Sequence, residues 1–321
     1  MSPRQALRRI ADAFAGTALD RAVRHAAAAP RQTPRDFLFF WNRGLGDIAL
    51  GLVPVFARIR RDVPGARIIV VTRPELAEPF AMTDADSIVT IGGLARGTRI
   101  TRDELRAVPG VDLERCAVVF EDPDVNRWLR GRRGEFPPSL RWDPAWDALA
   151  ERIAPAVAGE LYIGAHVSAE TRQYYNYAKD WEPAAWRELM ARLDDVPAVR
   201  WILFGQSAEP RYVRPNVIDL RGGTGYLQMA SIIKNRCRVL IAPDSGVLVT
   251  AFYLAARFPL DIVSLWSDPR QGILLQDCPS PNPLLRHVPL VGRDEQARNI
   301  PVDDVLSAVR AALVRATALA A

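Results

Sequence analysis

The chain has 321 residues, 49% of them hydrophobic and 25% charged, which supports a sizeable buried core and about two domains. Its three cysteines and three histidines form no metal-ligand spacing, disulfide framework or HExxH motif, so a catalytic metal is not expected. No apolar run of about 18 residues and no signal-peptide core occurs, which disfavours a membrane-spanning protein. The widely spaced cysteines fit a reducing cytoplasm, so we expect a cytoplasmic location. The net charge is +5, but the basic residues are scattered without aromatic interleaving, which disfavours nucleic-acid binding.

The N-terminal segment, residues 1–35, is rich in alanine and arginine and poor in acids. Its pattern predicts one or two amphipathic helices with a basic face between Arg4 and Ala27. We favour packing of this segment on the domain that follows. The alternative is peripheral contact with an anionic membrane, such as the inner face of the inner membrane.

A βα rhythm begins at Asp36. Short apolar runs that alternate with helical patterns predict a parallel sheet covered on both faces. The predicted strands of this half are Phe37–Trp41, Arg67–Thr72, Ser87–Ile91 and Cys116–Phe120, and the predicted helices are Ile48–Arg61 and Pro74–Ala81.

A second βα series follows an irregular stretch over residues 123–160. We therefore predict a first Rossmann-like domain over residues 36–157 and a second over residues 158–321, with a ligand cleft between them. The second series consists of strands and helices at Leu161–Val167, Ala184–Leu193, Val199–Phe204, Val217–Leu220, Tyr226–Asn235, Arg238–Ala242, Val247–Ala256, Leu260–Trp266 and Val302–Ala318. Neither half has a G-x-G-x-x-G or Walker A motif, which argues against simple dinucleotide or ATP binding.

The first candidate site is Gly44-Leu45-Gly46-Asp47, between the first strand and the first helix. The carboxyl edge of a parallel sheet is where open α/β folds bind ligands. Asp47 can be a general base that accepts a proton from a hydroxyl, or only a cap of the helix that follows. Both interpretations stay open from these residues alone.

The second candidate site is the turn Asp244-Ser245-Gly246-Val247, which again joins a strand to a helix. Backbone N–H groups at such a turn can hold a diphosphate, and ordinary capping is the alternative. In the same half, Lys179 lies in a loop where its ammonium group can neutralise a phosphate. The chain's other lysine, Lys234, reads as a solvated residue on a helix surface.

Other polar residues could complete a ligand site in this half, although each is also compatible with a simple turn. Ser168 and Thr171 share the loop of Lys179 and could donate to phosphate, Glu209 could bind a ribose diol, and Thr224 belongs to a glycine-rich turn before a helix. His166, at the end of an apolar strand, reads as a half-buried histidine whose hydrogen bonds are satisfied.

Taken together, these motifs resemble glycosyltransferase family nine, the ADP-heptose:lipopolysaccharide heptosyltransferases. The resemblance covers about residues 36–315. Its three signatures are the Gly44–Asp47 segment with Pro64-Gly65-Ala66-Arg67, then Lys179-x-Trp181 with Trp186 and Leu189, and then Tyr226–Arg238 with Asp244-Ser245-Gly246.

The resemblance implies an α/β protein with the GT-B fold, in which two Rossmann-like domains present parallel sheets to an interdomain cleft. It implies an inverting, metal-independent transfer of a sugar, heptose by resemblance, from an ADP-linked donor to a glycan or glycolipid hydroxyl of lipopolysaccharide type. No cofactor other than the nucleotide-sugar substrate is implied. Asp47 matches the catalytic base and Gly46 its loop, while Lys179 and the turn from Asp244 to Val247 match the donor site.

The chain also departs from the family pattern, because Val249 stands where the family usually has histidine. Val249 favours one alternative, a catalytically degenerate protein that binds a nucleotide-sugar. A GT-B-like nucleotide-sugar epimerase is a second, separate alternative.

Overall fold

The computed structural model describes residues 16–30, 33, 35–130, 132, 134–169, 179–196 and 198–320. The chain divides into two compact units, Met1–Pro138 and Ser139–Ala321, each with its own parallel sheet. The predicted parallel α/β architecture is therefore confirmed within each unit. The chain contains no described helix that is both long enough and apolar enough to cross a membrane.

The first unit is built on a four-stranded parallel sheet in the order β3-β2-β1-β4. Aromatic residues fill one face of this sheet, where the rings of Phe39 and Phe56 lie 5.1 Å apart edge to face and Phe120 packs on Trp128. The strands are β1 Asp36–Trp41, β2 Arg67–Thr72, β3 Ser87–Thr90 and β4 Cys116–Phe120, and the helices are α1 Ala18–Ala28, α2 Val53–Asp62, α3 Ala77–Ala81, α4 Arg102–Arg106 and α5 Val125–Trp128.

Helix α1 packs on the core of the first unit. This confirms, for the described residues of the N-terminal segment, the favoured prediction that the segment packs on the domain that follows. Leu19, Val23 and Ala26 are buried in the same core as the first sheet. Asp20 closes a capping box with Thr17 and reaches Arg58 of α2 at 2.5 Å. The apolar face of α1 is thus already occupied by protein, whereas residues 1–15 lie outside the described residues.

The helix predicted over Ile48–Arg61 has a more complex beginning than its sequence indicates. It opens with a π-helical turn, Ile48–Leu52, and becomes α-helical only in α2. Such turns often occur at functional sites. The predicted helix Pro74–Ala81 similarly begins with a 3₁₀ turn, Pro74–Leu76, before α3.

The second unit has a six-stranded parallel sheet in the order β12-β11-β9-β6-β7-β8. Counted from β6, the first strand of the sheet in the chain, this is the Rossmann order 3-2-1-4-5-6 read from the other edge. The strands are β5 Leu140–Arg141, β6 Leu161–His166, β7 Val199–Phe204, β8 Val217–Asp219, β9 Cys237–Pro243, β10 Leu254–Ala255, β11 Leu260–Trp266 and β12 Leu285–Val291. The helices are α6 Ala148–Ile153, α7 Pro183–Ala191, α8 Tyr226–Asn235, α9 Gly246–Tyr253, α10 Gly272–Gln276 and α11 Val302–Ala320.

The unit division lies at Pro138, before the boundary at residue 157 that the sequence suggested. Residues 139–157 belong to the second unit because their backbone is tied to it. Strand β5 pairs with β10, the Ala150 N–H donates to Ser231 Oγ at 3.1 Å, and Arg236 donates to the Ala154 carbonyl at 2.6 Å. These partners are distant in the chain, so the irregular local sequence gave no signal of them.

Candidate functional site

The order of the second sheet reverses between β6 and β9, so the loops that follow these strands run in opposite directions and leave a crevice. Strand β6 ends at His166, and β9 ends at Pro243, directly before Asp244. The second candidate site of the sequence therefore lies at the topological switch point. This is the position at which α/β folds of this kind bind their ligands.

Lys179 and Asp244 form an ion pair, in which the ammonium Nζ donates to carboxylate Oδ2. Both side chains are largely buried, with 17% of Lys179 and 9% of Asp244 exposed. A buried carboxylate needs such a partner, because an unpaired buried charge is strongly destabilising. Two residues that the sequence offered as separate ligand contacts are thus brought together, and Asp244 acts as the counter-ion of Lys179.

Gly272, the first residue of α10, makes room for this carboxylate. Its φ is +51°, and a Cβ atom at this position would lie 2.4 Å from Asp244 Oδ1 and 2.8 Å from the Trp266 ring. Any larger residue would displace the carboxylate or the indole. No local pattern around Gly272 indicated this role.

Ser245 is the N-cap of α9, and its hydroxyl oxygen accepts the Leu248 N–H at 3.3 Å. The same hydroxyl lies 3.0 Å from Nδ1 of His166. Burial lowers the pKa of His166 to about 4, so the imidazole is neutral at pH 7 and its Nδ1 atom shares a hydrogen bond with the Ser245 hydroxyl. His166 is therefore satisfied, as predicted, but it is fully buried and its partner is a candidate site residue.

This arrangement changes how the α9 turn can bind an anion. The Ser245 hydroxyl is committed to His166 and to the helix, whereas the N–H groups of Gly246 and Val247 are in the first turn, where helices lack internal acceptors. Together with the positive end of the helix dipole, these amides suit a phosphate. Val249, where the sequence pattern led us to expect histidine, is 2% exposed and is buried inside the unit.

A second carboxylate, Asp180, bonds the residues that directly follow β6. Asp180 accepts the Ala169 N–H at 2.5 Å and the Ser168 hydroxyl at 3.4 Å. Burial raises the pKa of Asp180. Ser168 is thus brought to the end of β6 beside the switch point, whereas Thr171 lies outside the described residues.

Glu209 and Thr224 each bond to a residue of their own loop. Glu209 is largely exposed and pairs with Arg211 at 3.3 Å, and Thr224 donates to the Leu220 carbonyl at 3.4 Å. Their loops do meet, because the Gly222 N–H donates to the Gly205 carbonyl at 2.9 Å. Each side chain thus bonds within its own loop, and their ligand roles remain predictions.

Lys234 differs from the solvated residue that its position suggested. Its ammonium group lies 2.7 Å from Asp147 and over the Trp142 ring at 5.4 Å. Only 13% of its side chain is exposed. It stabilises the junction of α8 with the turn before α6.

In the first unit, Asp47 precedes the π-helical turn and makes no side-chain capping hydrogen bond to it. Asp47 therefore lacks the hydrogen bond of a side-chain cap, and its role as a general base stays a prediction. Its Oδ2 atom instead lies 3.1 Å from the position that a Cβ on Gly44 would occupy, and Nη2 of Arg96 lies 3.6 Å from the same point. Gly46, which directly precedes Asp47, is half-buried.

Basic side chains from other loops surround this edge of the first sheet. Arg43 and Arg99 both pair with Asp122, which follows β4, the latter at 3.6 Å. Arg73 follows β2 and donates to Asn42 at 2.7 Å. Sequence reasoning missed Asn42 and Arg96, because each is an ordinary loop residue until strand order places it.

Within the part of the chain that the structure describes, no group of three or more His, Cys, Asp or Glu side chains could hold a metal ion. The predicted independence from metal remains a prediction.

The two Rossmann-type sheets define a class of α/β proteins that bind ligands at the carboxyl ends of their strands. No protein-family model and no curated protein matches the chain in sequence. Solved structures do match it, at 12–15% identity.

The E. coli ADP-heptose LPS heptosyltransferase II is 15% identical, with a TM-score of 0.60 over 88% of this chain and 99% of its own. A glycosyl transferase family 9 protein of Veillonella parvula is 14% identical, with a TM-score of 0.59 over 89% and 99%. E. coli heptosyltransferase WaaC with ADP-2-deoxy-2-fluoro heptose is 12% identical, with a TM-score of 0.52 over 86% and 99%. The chain thus has a fold similar to that of these heptosyltransferases and of the family 9 glycosyl transferase.

Proposed function

We propose that this protein is an inverting glycosyltransferase that moves a sugar, heptose in our proposal, from an ADP-linked donor to a hydroxyl of a lipopolysaccharide-type glycan. The observation that carries the proposal is the ion pair of Lys179 with Asp244 beside the N-terminus of α9. A cation and helix amides at a switch point suit the diphosphate of a nucleotide-sugar. The heptosyltransferase fold supports the same chemistry.

In the proposed reaction, Asp47 accepts the proton of the acceptor hydroxyl while its oxygen attacks the anomeric carbon. The bond from that carbon to the donor phosphate breaks, and its electron pair passes to the departing ADP. Lys179 and the amides of Gly246 and Val247 stabilise the negative charge on the diphosphate. Attack opposite the leaving group inverts the anomeric centre, and no metal is needed. Transfer further requires that donor and acceptor meet, as the GT-B arrangement predicted from the sequence would allow.

A thermal-shift screen with ADP- and UDP-linked sugars tests the donor. A ligand at 100 times its Kd adds about 2.7 kcal/mol of stability, which is readily measured. We expect ADP-heptose to give the largest shift. No shift with any nucleotide-sugar would contradict the proposal, while binding without turnover would favour the degenerate alternative.

Incubation with donor and acceptor tests the reaction. Product analysis by NMR should show ADP release only with acceptor present and an inverted glycosidic bond. An isomerised donor in the absence of acceptor would identify an epimerase instead. Addition of EDTA should leave the rate unchanged.

Membrane contact by the N-terminal segment remains a separate prediction. Arg21 and Arg24 are exposed on α1, opposite its buried face. Co-sedimentation with anionic vesicles, compared between the full chain and an Arg21→Glu/Arg24→Glu variant, tests it. Equal sedimentation of both proteins would argue against contact through α1.

A further inference from the structure

Asn42 ties the loop after β3 to the end of β1. This asparagine is 3% exposed. Its amide donates to the carbonyls of Ala95 at 2.8 Å and Thr98 at 3.1 Å, and its main-chain carbonyl accepts the Gly97 N–H at 2.9 Å. Three hydrogen bonds from one residue therefore fix residues 95–98, a stretch that has no regular secondary structure.

Arg73 fixes the orientation of the Asn42 amide. Its guanidinium donates to Asn42 Oδ1 at 2.7 Å, and a guanidinium can only donate. The amide nitrogen must therefore face the two loop carbonyls. Both amide hydrogens and the amide oxygen of this buried side chain have partners, and a buried polar group that is satisfied in this way favours one conformation.

The tied segment carries Arg96 to the turn of Asp47. The Arg96 guanidinium and the Asp47 carboxylate lie 3.6 Å and 3.1 Å from one point, the Cβ position of Gly44. The position of the loop therefore decides whether this guanidinium stands close to the Asp47 carboxylate.

We propose that Asn42 is a positioning residue that holds Arg96 beside Asp47 and thereby fixes the orientation of the carboxylate that receives the acceptor proton. This inference rests on the proposed function. A displacement of about 1 Å at a reacting group can cost about 100-fold in rate. A tether on the loop therefore acts on turnover even though Asn42 touches no substrate.

The first test replaces Asn42 with aspartate, which has nearly the same shape. A carboxylate still accepts from Arg73 but opposes the carbonyls of Ala95 and Thr98, so the loop is released. We expect trypsin to cleave after Arg96 and Arg99 about 10-fold faster, because cleavage needs local opening. Unchanged cleavage would overturn the inference, whether or not the protein is active.

Asn282→Asp is the matched control. Asn282 is another buried amide, 2% exposed, and donates to the Phe258 carbonyl at 2.8 Å within the second unit. This variant should lower the melting temperature without faster cleavage after Arg96 or Arg99. Faster cleavage at these bonds in the control would show that the effect of Asn42→Asp is only general destabilisation.

The second test measures transfer kinetics of Asn42→Asp, Arg96→Ala and the double variant. We expect each single change to lower kcat by about 10–100-fold with donor KM within about 2-fold, and the double variant to be no worse than the poorer single variant. Additive losses would show that Asn42 does not act through Arg96. Arg96 is exposed, so Arg96→Ala should fold even if Asn42→Asp does not. A wild-type kcat in Arg96→Ala would overturn the inference. If the wild-type protein transferred no sugar, the proposed function and the catalytic part of this inference would be refuted. The trypsin experiment would still test whether Asn42 holds the loop.

Discussion

The Nδ1 atom of His166 lies 3.0 Å from the hydroxyl oxygen of Ser245, and this hydrogen bond joins the two strands between which the order of the second sheet reverses. It holds the first turn of α9 against the central strand β6. Replacement of His166 by phenylalanine would leave the Ser245 hydroxyl without this hydrogen-bond partner. Because one hydrogen bond is worth about 1 kcal/mol, we expect ADP to bind about 5-fold more weakly.

Calorimetric titration with ADP checks this prediction. The amide of asparagine at position 166 can either donate or accept a hydrogen bond near the Nδ1 position, so His166→Asn should recover most of the affinity. His25, which is exposed on α1, is the control, and His25→Phe should bind as the wild type does. Unchanged affinity in His166→Phe would show that this hydrogen bond does not support the turn.

Acid should weaken the fold before the carboxylates titrate. Burial lowers the pKa of both His166 and His287 to about 4, against a reference value of 6.5. The unfolded chain therefore binds protons first, and stability is lost as pH falls from about 6.5 to about 4. Urea unfolding between pH 7 and pH 4 should show this slope, and His287→Asn should reduce it. A free energy of unfolding that stays constant over this range would contradict the prediction.

Lys179→Met should weaken binding of ADP by about 10–100-fold, the loss of one or two charge-assisted hydrogen bonds. It should also lower stability, since it leaves the buried Asp244 unpaired. A Lys179→Met/Asp244→Asn variant separates the two effects. It should regain stability and still bind ADP weakly.

Lys234→Met is the matched control for this lysine. It breaks the ion pair with Asp147 and should lower the melting temperature without a change in ADP affinity. If the double variant at Lys179 and Asp244 bound ADP as tightly as the wild type, the ammonium group would serve only as a structural partner.

Asp47→Asn should lower kcat by about 10²–10⁴-fold, as loss of a general base does, while ADP affinity stays the same. Gly44→Ala is a subtler probe. Its methyl group would meet Asp47 Oδ2 at 3.1 Å, which is a tight contact, and we expect about a 10-fold loss of kcat.

Gly92→Ala provides the control for the steric probe, because a Cβ on Gly92 meets no atom within 4 Å among the described residues. Its kinetics should equal those of the wild type. Equal rates for Gly44→Ala and Gly92→Ala would mean that the orientation of the Asp47 carboxylate does not limit turnover.

Asp20→Asn should loosen α1 from the first unit. Burial opposes ionisation of Asp20, but hydrogen bonds from Thr17 and Arg58 outweigh it and lower its pKa to about 2. A lowered pKa contributes stability above pH 4 that disappears as pH falls towards 2. The variant should lose about 1–3 kcal/mol at pH 7 and almost nothing near pH 2, measured by urea unfolding. A pH-independent difference would assign the effect to packing.

The strands were the most predictable part of the fold. The predicted bounds of β2, β4, β7 and β11 agree with the structure, because β-branched and aromatic runs between turn residues favour strands. The sequence failed to predict β12, whose sheet position is at an edge and whose run contains Arg286, His287 and Pro289. Half-exposed edge strands lack the continuous apolar run that marks a buried strand.

The candidate site likewise has parts that the sequence predicted and parts that it did not. By itself the sequence determined the two strand-to-helix turns, at Asp47 and Asp244, since glycine, acid and apolar periodicity are local signals. Only the tertiary structure paired Lys179 with Asp244, His166 with Ser245, and Asn42 with the loop that carries Arg96. Each of these partners is distant in the chain, and the order of the parallel strands, which no local pattern encodes, decides which loops meet.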